Sequence, residues 1–307
     1  MGNKKIGMST WIKVCASALV LSFSTWAQAV DPDKTCPQFF FHGTPVHAIK
    51  KVSDSSYFIC HKAYSVQYYL GTKTPLWVAE RLSGDATVGD EPRTEDFQKD
   101  PEVEAKHSSS NKDFQALNRR LKARLVEDGR GEKYVYDRGH MAPAGDFATD
   151  GQAMSESFYL SNMVPQVSSH NRGVWKDLEV RVRNWARGRG TLFIVTGPVF
   201  RSKAGYQDMR GLEEMNGVLV PTDIYKLIVD PKTGGSIAFV IPNLPFQPAG
   251  GRKDSKGYEY NGTTFQLQDF IVPIREIEMI TGINFHPFLN KSDADTVELK
   301  KSGMWTR

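Results

Sequence analysis

The chain has 307 residues, a net charge of +4, three cysteines and a 40% hydrophobic fraction. Its 17 Phe, 11 Tyr and 6 Trp, with 24% charged residues, are typical of a globular chain and exclude a mostly disordered or collagen-like protein. Without Lys4, Lys5 and Lys13 the balance drops from +4 to +1. Any attraction to nucleic acid must therefore come from a local patch of charge.

The first 29 residues combine a basic start, an apolar run and a small-residue cleavage pattern. The stretch 14–26 is apolar or small throughout, and Ala27-Gln28-Ala29 follows it. This pattern predicts a secretory signal peptide over residues 1–29. An uncleaved anchor is disfavoured because the apolar run is shorter than the about 20 residues that span a bilayer. We therefore expect an exported mature protein, periplasmic or extracellular, with no membrane segment.

Export would change the meaning of the cysteines. Cys15 would leave with the signal peptide, so Cys36 and Cys60 would remain as an even pair in an oxidising compartment. A structural disulfide between them is the simplest interpretation. A metal site built with His61 is the alternative, but no further Cys or His stands at ligand spacing.

The chain beyond the cysteines alternates short strands with helices. Strands and turns are predicted over 39–82, a polar surface loop over 83–112, and further strands at 134–136, 157–160, 191–196, 225–229 and 236–241. A basic helix is predicted at 114–126, with apolar residues at helical spacing and basic residues on its other faces. The apolar residues are Phe114, Leu117, Leu121 and Leu125, and the basic residues are Arg119, Arg120, Lys122 and Arg124. No repeat or linker is evident, so we expect a single mixed α/β domain of the α+β class over residues 30–307.

The segment 171–186 predicts a helix with two distinct faces. Its core-facing residues are Trp175, Leu178, Val182 and Trp185. Its charged flank consists of Arg172, Lys176, Glu179 and Arg183, and Asn171 stands in the first turn. On its own this helix would be interpreted as an Asn N-cap followed by a solvated flank.

The motifs that precede this helix change that interpretation. Asp137-Arg138-Gly139-His140 ends a strand, Asn162-Met163-Val164-Pro165-Gln166 follows, and Asn171, Trp175, Glu179 and Arg183 are spaced as N-x-x-x-W-x-x-L-E-x-x-x-R. This combination resembles the DNA/RNA non-specific endonucleases, the sugar-non-specific ββα-metal nuclease family, whose members include secreted nucleases and mitochondrial endonuclease G. The resemblance implies the ββα-metal nuclease fold, a central antiparallel sheet flanked by helices.

The resemblance also implies roles for single residues. The general base falls on His140, the sole protein ligand of the metal on Asn171, and the acid that orients metal-bound water on Glu179. The phosphate-contacting arginine falls on Arg183, and Arg138 is a further candidate.

Arg93 is a third candidate phosphate contact, because Arg93, Phe97 and Asp100 resemble the family's R-x-x-x-F/W-x-x-D setting. However, 44 residues separate Arg93 from Asp137, more than the family's usual interval. The longer interval indicates an insertion that contains the basic helix.

These residue types suit hydrolysis of a phosphodiester. A neutral His140 can take a proton from water near pH 7. One amide ligand with several waters favours Mg²⁺ over Zn²⁺, although Mn²⁺ or another divalent cation is compatible. Phosphate and metal contacts carry no sequence information, so we expect DNA and RNA as substrates with little sequence preference.

Other functions are compatible with parts of the sequence. An inactive, secreted nucleic-acid-binding protein would require loss of the base or the ligand, yet His140 and Asn171 are both present. A phosphodiesterase for a substrate other than nucleic acid could use the same base and metal. Zinc sites built from His42 and His47, or from His61 and His107, lack the H-x-x-x-H spacing with a third ligand. A homodimer is compatible with the sequence.

Overall fold

The computed structural model describes residues 1–2, 31–127, 135–201, 213–251 and 257–306, without the side chains of 121–127. The described residues from 31 to 306 belong to one compact unit. The predicted signal peptide and Cys15 lie outside the described residues. The same holds for the side chains of Leu121, Lys122, Arg124 and Leu125 in the predicted basic helix. Within the described chain, no helix combines the length and apolarity that a membrane span requires.

Helices and strands alternate irregularly along the described chain. The helices are α1 (Pro32–Thr35), α2 (Lys50–Asp54), α3 (Asn111–Glu127), α4 (Gly151–Glu156), α5 (Ser168–His170), α6 (Lys176–Arg189), α7 (Ile274–Thr281) and α8 (Lys291–Glu298). The strands are β1 (Val46–His47), β2 (Ser56–Cys60), β3 (Tyr64–Tyr69), β4 (Thr74–Leu82), β5 (Tyr136–His140), β6 (Met163–Val167), β7 (Leu192–Val199), β8 (Glu214–Met215), β9 (Val218–Leu219), β10 (Asp223–Asp230), β11 (Gly235–Pro242), β12 (Gln247–Pro248), β13 (Tyr258–Tyr260), β14 (Thr263–Phe265), β15 (Ile271–Val272) and β16 (Ile283–Asn284).

A seven-stranded antiparallel sheet forms the centre, in the order β15-β11-β10-β7-β4-β3-β2. Smaller sheets pair β1 with β16, β5 with β6, β8 with β9, and β12 and β14 with β13. Every residue of β10 is buried, because both faces of the central sheet are covered. This arrangement confirms the predicted α+β class with a central antiparallel sheet.

The side chains of successive residues of β4 lie on opposite faces of the central sheet, as strand geometry requires. Val78 packs in a cluster that also contains Leu178 and Val182 of α6. Trp77 and Ala79 pack on the other face, in a cluster that contains the isoleucines of α7. Each large apolar side chain that is fully buried in this way contributes roughly 1.5–3 kcal/mol relative to an exposed one. The alternation therefore fixes α6 and α7 on opposite faces of the sheet.

Three predicted element boundaries differ from the structure. Residues 157–160 form turns instead of a strand, and the strand is β6, which contains Pro165 and Gln166 of the N-x-x-P-Q motif. The regular helix begins at Lys176 instead of Asn171, because Gly173 interrupts it with φ −108° and ψ −110°. Strand β7 continues through Pro198, where it pairs with β10 but no longer with β4. Proline is tolerated where a strand lacks a second neighbour.

Cys36 and Cys60 are joined by a disulfide with their Cα atoms 6.2 Å apart. Cys36 is fully buried and follows α1, whereas Cys60 ends β2, an outer strand of the central sheet. The bond therefore ties the segment before β1 to the sheet edge and closes a loop of 24 residues.

We predict that Cys36→Ser lowers the free energy of unfolding by about 3 kcal/mol, because the unfolded chain regains the entropy of that loop. Urea unfolding of the oxidised wild type, the reduced wild type and Cys36→Ser measures the effect. Reduced wild type and the variant should unfold at similar urea concentrations. Equal midpoints for Cys36→Ser and the oxidised wild type would contradict a stabilising role.

Candidate active site

A cavity of about 730 Å³ lies between β5, the turn before α6, the first half of α6 and the N-terminal half of α3. Every site residue predicted from the sequence lines it. These residues are Arg93, Arg138, His140, Asn171, Glu179 and Arg183. The structure thus brings together side chains that are up to 90 positions apart in the chain.

Strands β5 and β6 pair beside the cavity, and β5 contains the D-R-G-H motif. The antiparallel register places His140 opposite Met163 and Gly139 opposite Val164. A Cβ atom on Gly139 would lie 2.0 Å from Oε1 of Gln166, so only glycine allows the two strands this close approach. The glycine of D-R-G-H and the glutamine of N-x-x-P-Q are therefore two halves of one packing contact.

The loop that follows His140 is held by the side chain of Asn162. Its Oδ1 accepts from the backbone N–H of Ala142 at 2.9 Å, and its Nδ2 donates to the carbonyls of Ala142 and Ser157 at 2.9 and 2.8 Å. Asn162 is fully buried, so these bonds are not exchanged with water. The asparagine of the second motif thus fixes the chain immediately beyond the histidine.

His140 lies in an apolar setting with its ring 8% exposed. Phe97 and Phe158 meet the imidazole edge to face, with centroids 5.7 and 4.8 Å away. Burial, together with the charges of Arg93 and Arg138, lowers the pKa of His140 to about 3. Nε2 has no hydrogen-bond partner among the described residues. The ring is therefore neutral at physiological pH and keeps a free nitrogen that can accept a proton.

Asn171 begins a wide turn, Asn171–Trp175, that joins α5 to α6. Its Nδ2 donates to Oδ2 of Asp137 at 2.9 Å, which leaves Oδ1 without a hydrogen-bond donor among the described residues. Asp137 also accepts two bonds of 2.8 Å from Arg172 and one from Ser168. Burial acts to raise the pKa of Asp137, but these bonds outweigh it and lower the pKa. Asp137 thus stays ionised and orients the Asn171 amide.

Glu179 occupies the cavity wall one turn into α6 and makes no hydrogen bond to the described residues. Burial is the largest cause that raises its pKa to about 7, and Asp146 adds to it, whereas Lys226, Arg183 and Arg93 oppose the shift. A nearby divalent cation would favour the ionised form. The carboxyl group lines the same cavity as the Asn171 amide.

The three candidate arginines are held in different ways. Arg183 donates to Oδ1 of buried Asp146 at 2.7 Å, so part of its charge is already neutralised. Arg93 is exposed, lies 4.9 Å over the ring of Phe158 and contacts Glu95 at 3.4 Å. Arg138 lies 3.6 Å over the ring of Phe97, without a carboxylate within salt-bridge distance among the described residues.

A layer of buried charge lies behind the cavity wall. Glu80 is 2% exposed, and neither of its carboxylate oxygens has a hydrogen-bond partner among the described residues. Lys226 is equally buried and donates from Nζ to Oγ1 of Thr196 at 2.6 Å. Burial raises the pKa of Glu80 well above its usual range, and Asp146 and Glu179 raise it further while Lys226 opposes.

Asp137, Asp146 and Glu80 were not predicted from the sequence as parts of the site. Asp137 was recognised only as the first residue of the D-R-G-H motif, although its fixed position two residues before Gly139 could have identified it. Asp146 and Glu80 gave none, because an acid that pairs with a cation in space has no fixed spacing to it in the chain.

The alternative zinc sites are not assembled. Buried His61 pairs with Asp100, whose Oδ2 lies 2.9 Å from Nε2, and Nδ1 of His47 accepts from the backbone of Ile49. Glu278, His286 and Glu298 do place ligand atoms within 4.8 Å of one another. Arg275 already pairs with Glu298 there at 2.7 Å, so a cation of the protein fills that cluster.

We predict that Gly139→Ala destabilises the protein by more than about 2 kcal/mol, because the added methyl would overlap Gln166. Urea unfolding measures the loss. Gly303→Ala is the matched control, since a Cβ there meets no atom within 4 Å. If both variants unfold at the same urea concentration, the close approach of the two strands is not a constraint.

We predict that the His140 ring stays neutral between about pH 5 and pH 8, since its pKa is far below the ordinary value of about 6.5. NMR titration of the ring carbons measures this. Arg138→Ala should raise the pKa of His140 by removing a nearby positive charge, whereas Arg138→Lys should keep it low. A titration midpoint near 6.5 in the wild type would contradict the buried setting.

Several known proteins are similar to this chain in sequence or in fold. The sequence model of the DNA/RNA non-specific endonuclease family matches residues 46–292. The mitochondrial nuclease EXOG of Danio rerio is 34% identical over 74% of this chain and 60% of its own length. Mitochondrial endonuclease G of Homo sapiens is 32% identical over 74% of this chain and 68% of its own length. A solved structure of EndoG in complex with EndoGI superposes with a TM-score of 0.59 at 26% identity, covering 83% of this chain and 98% of that one.

These relatives contradict the prediction of a periplasmic or extracellular location. Proteins from Danio rerio, Homo sapiens, Bos taurus and Schizosaccharomyces pombe are all named mitochondrial nucleases, which points to a mitochondrial location instead. Basic residues without acidic ones are common to secretory and mitochondrial targeting segments, so this feature of the first 29 residues does not separate the two.

The family match over residues 46–292 includes the motifs that line the cavity. The chain belongs to the DNA/RNA non-specific endonuclease family, which confirms the family, the ββα-metal fold and the nuclease class predicted from its sequence.

Proposed function

We propose that this protein hydrolyses phosphodiester bonds of DNA and RNA with little sequence preference, using His140 as general base and a divalent cation bound at Asn171. The observation that carries the proposal is a neutral His140 that lines the same cavity as Asn171, whose Oδ1 accepts no hydrogen bond from the described residues. A proton acceptor together with a divalent cation is one combination of groups that hydrolyses phosphodiesters.

His140 is suited to act on water instead of on a metal. Its low pKa keeps the ring unprotonated, and its apolar neighbours do not compete for the nitrogen. Entry of a negatively charged phosphodiester offsets the charges of Arg93 and Arg138, which raises the pKa of His140 towards the range of an effective base. Substrate binding thus prepares the ring to remove the proton of the attacking water.

The donor set around Asn171 fits a hard cation. The free amide Oδ1 is fixed by Asp137, and Glu179 offers carboxylate oxygens that can hold water of the metal shell. Oxygen donors with several waters suit Mg²⁺, and Mn²⁺ shares this preference. When bound, such a cation would stabilise the negative charge that develops on the leaving oxygen. The protein's part is to orient the amide, and the bound cation would itself favour the ionised form of Glu179.

Arginines on both sides of the cavity are positioned to hold phosphate oxygens. Arg138 and Arg93 stand beside His140, and Arg183 stands beside Glu179 with Asp146 behind it. Guanidinium groups bind phosphates through charge and paired N–H donors, whatever base is attached. The proposed contacts require neither a particular base nor a 2′-hydroxyl group, so both DNA and RNA fit. Whether the protein forms a homodimer stays a prediction from the sequence.

The proposal is tested first by incubating the purified protein with plasmid DNA and with RNA, with Mg²⁺ and with excess EDTA. We expect cleavage of both with Mg²⁺ and none with EDTA. Binding without cleavage under every metal condition would indicate an inactive nucleic-acid-binding protein. Hydrolysis of a small phosphodiester while plasmid and RNA stay intact would indicate a different substrate class.

We predict that His140→Ala lowers kcat by roughly 10²- to 10⁴-fold and leaves metal and substrate binding largely intact, because the imidazole acts on water. Asn171→Ala should lose activity through weaker metal binding, so raised Mg²⁺ should restore part of it. Glu179→Ala should resemble a milder Asn171 change. Cleavage measured across a Mg²⁺ titration separates the three.

His107→Ala and Asn290→Ala are the matched controls for these variants, since both side chains lie outside the cavity and each substitution removes the same group. Recovery of His140→Ala by added Mg²⁺, or an Asn171→Ala defect that is independent of Mg²⁺, would show that the proposed roles are wrong.

A further inference from the structure

The guanidinium of Arg138 is held by a residue of another element. Its Nη1 donates to Oδ1 of Asn111 at 2.7 Å, and its Cζ lies 3.6 Å over the ring of Phe97. The same Asn111 amide donates from Nδ2 to the carbonyl of Phe97 at 2.9 Å. Asn111 therefore ties the arginine and the aromatic surface beneath it into one unit.

Helix α3 places Asn111 at this point. Asn111 is the first residue of α3, and Asn118 stands two turns further along the same helix face. Asn118 accepts from the backbone N–H of Tyr136 at 2.6 Å and donates to its carbonyl at 2.8 Å. Because Tyr136 begins β5, two asparagines fasten α3 along the strand that carries Arg138 and His140.

The neutral character of the Asn111 contact distinguishes Arg138 from its neighbours. Arg172 is paired with the carboxylate of Asp137, and Arg183 with that of Asp146, so part of each charge is offset. An amide oxygen orients Arg138 without offsetting its charge. Among the described residues, Asn111 uses one of the five N–H donors of the guanidinium, and the others are available to a ligand in the cavity.

We propose that Asn111 is a positioning residue for substrate binding, which holds the Arg138 guanidinium on Phe97 in the orientation that receives a backbone phosphate. The inference rests on the proposed function, in which Arg138 contacts phosphate. An arginine loses much rotamer freedom when it is fixed, and Asn111 makes this ordering occur before substrate arrives. Loss of Asn111 should therefore weaken binding, although the charge of Arg138 remains.

The test measures the dissociation constant of a single-stranded oligonucleotide in EDTA, where no cleavage occurs, across a series of salt concentrations. The proteins are the wild type, Asn111→Ala, Arg138→Ala and the double variant. We expect Asn111→Ala to raise Kd about 3- to 10-fold with an unchanged salt slope, since the number of phosphate contacts is the same. Arg138→Ala should raise Kd further and reduce the salt slope by about 0.7, the loss of one contact. In the double variant, Asn111→Ala should add nothing.

Steady-state cleavage gives a second readout. Asn111→Ala should raise KM by a similar factor while kcat changes less than about twofold, because His140 and Asn171 are untouched. Asn111→Ser covers the case in which the alanine variant does not fold, since serine favours a helix start but is too short to reach Arg138. Asn290→Ala, which removes the cap of α8 far from the cavity, should leave both Kd and KM unchanged.

Two results would overturn the inference. One is a full effect of Asn111→Ala in the Arg138→Ala background, which would mean that Asn111 acts elsewhere. The other is a wild-type Kd for Asn111→Ala while Arg138→Ala binds weakly. If Arg138→Ala itself leaves Kd and the salt slope unchanged, the phosphate role of Arg138 in the proposed function is wrong, and the positioning role falls with it.

Discussion

Burial of one face of α6 against the central sheet is the constraint on which the site depends. Trp175, Leu178 and Val182 are almost completely buried on the sheet, and the flank of the helix beside them faces the cavity. That flank carries Glu179 and Arg183, and the turn before it carries Asn171. The apolar core thus sets the direction of the polar groups, and it does so with rigid secondary structure instead of a loop.

A second constraint is electrostatic. The site concentrates arginines beside a neutral histidine, and no described carboxylate lies within salt-bridge distance of Arg138. Asp137 and Asp146 are placed where they offset Arg172 and Arg183 and orient neighbouring groups. The positive charge that remains lies next to His140, where it adds to burial in keeping the ring unprotonated. In the proposed function, a bound phosphate would offset this charge and raise the basicity of the histidine.

Much of this was predictable from the sequence, because the relevant patterns are local. The apolar period of α6 and the spacing of Asn171, Glu179 and Arg183 fixed one wall of the cavity, and D-R-G-H fixed the other. The start of α6 was misplaced because helical periodicity does not register the backbone break at Gly173. The strand at 157–160 was misplaced because these residues form turns, and the strand begins only at Met163.

What the sequence could not provide were contacts between distant segments. The bond from Asn111 to Arg138 crosses 27 positions, and the pair of Arg183 with Asp146 crosses 37. Such pairs depend on how α3 and α6 lie against β5, which periodicity does not encode. The location was mispredicted for a different reason: targeting segments are read by receptors, and their shared basic character is not specific to one compartment.

The buried layer of Glu80 and Lys226 has a consequence for how this fold can change over time. These residues stand on β4 and β10, on either side of β7, and both are shielded from water. An apolar replacement of Lys226 would remove the positive charge that opposes the raised pKa of Glu80, whose carboxyl group has no hydrogen-bond partner among the described residues. The residue on β10 therefore bears on which residue β4 can hold at position 80, so the two flanking strands should diverge together whereas the surface around them drifts freely.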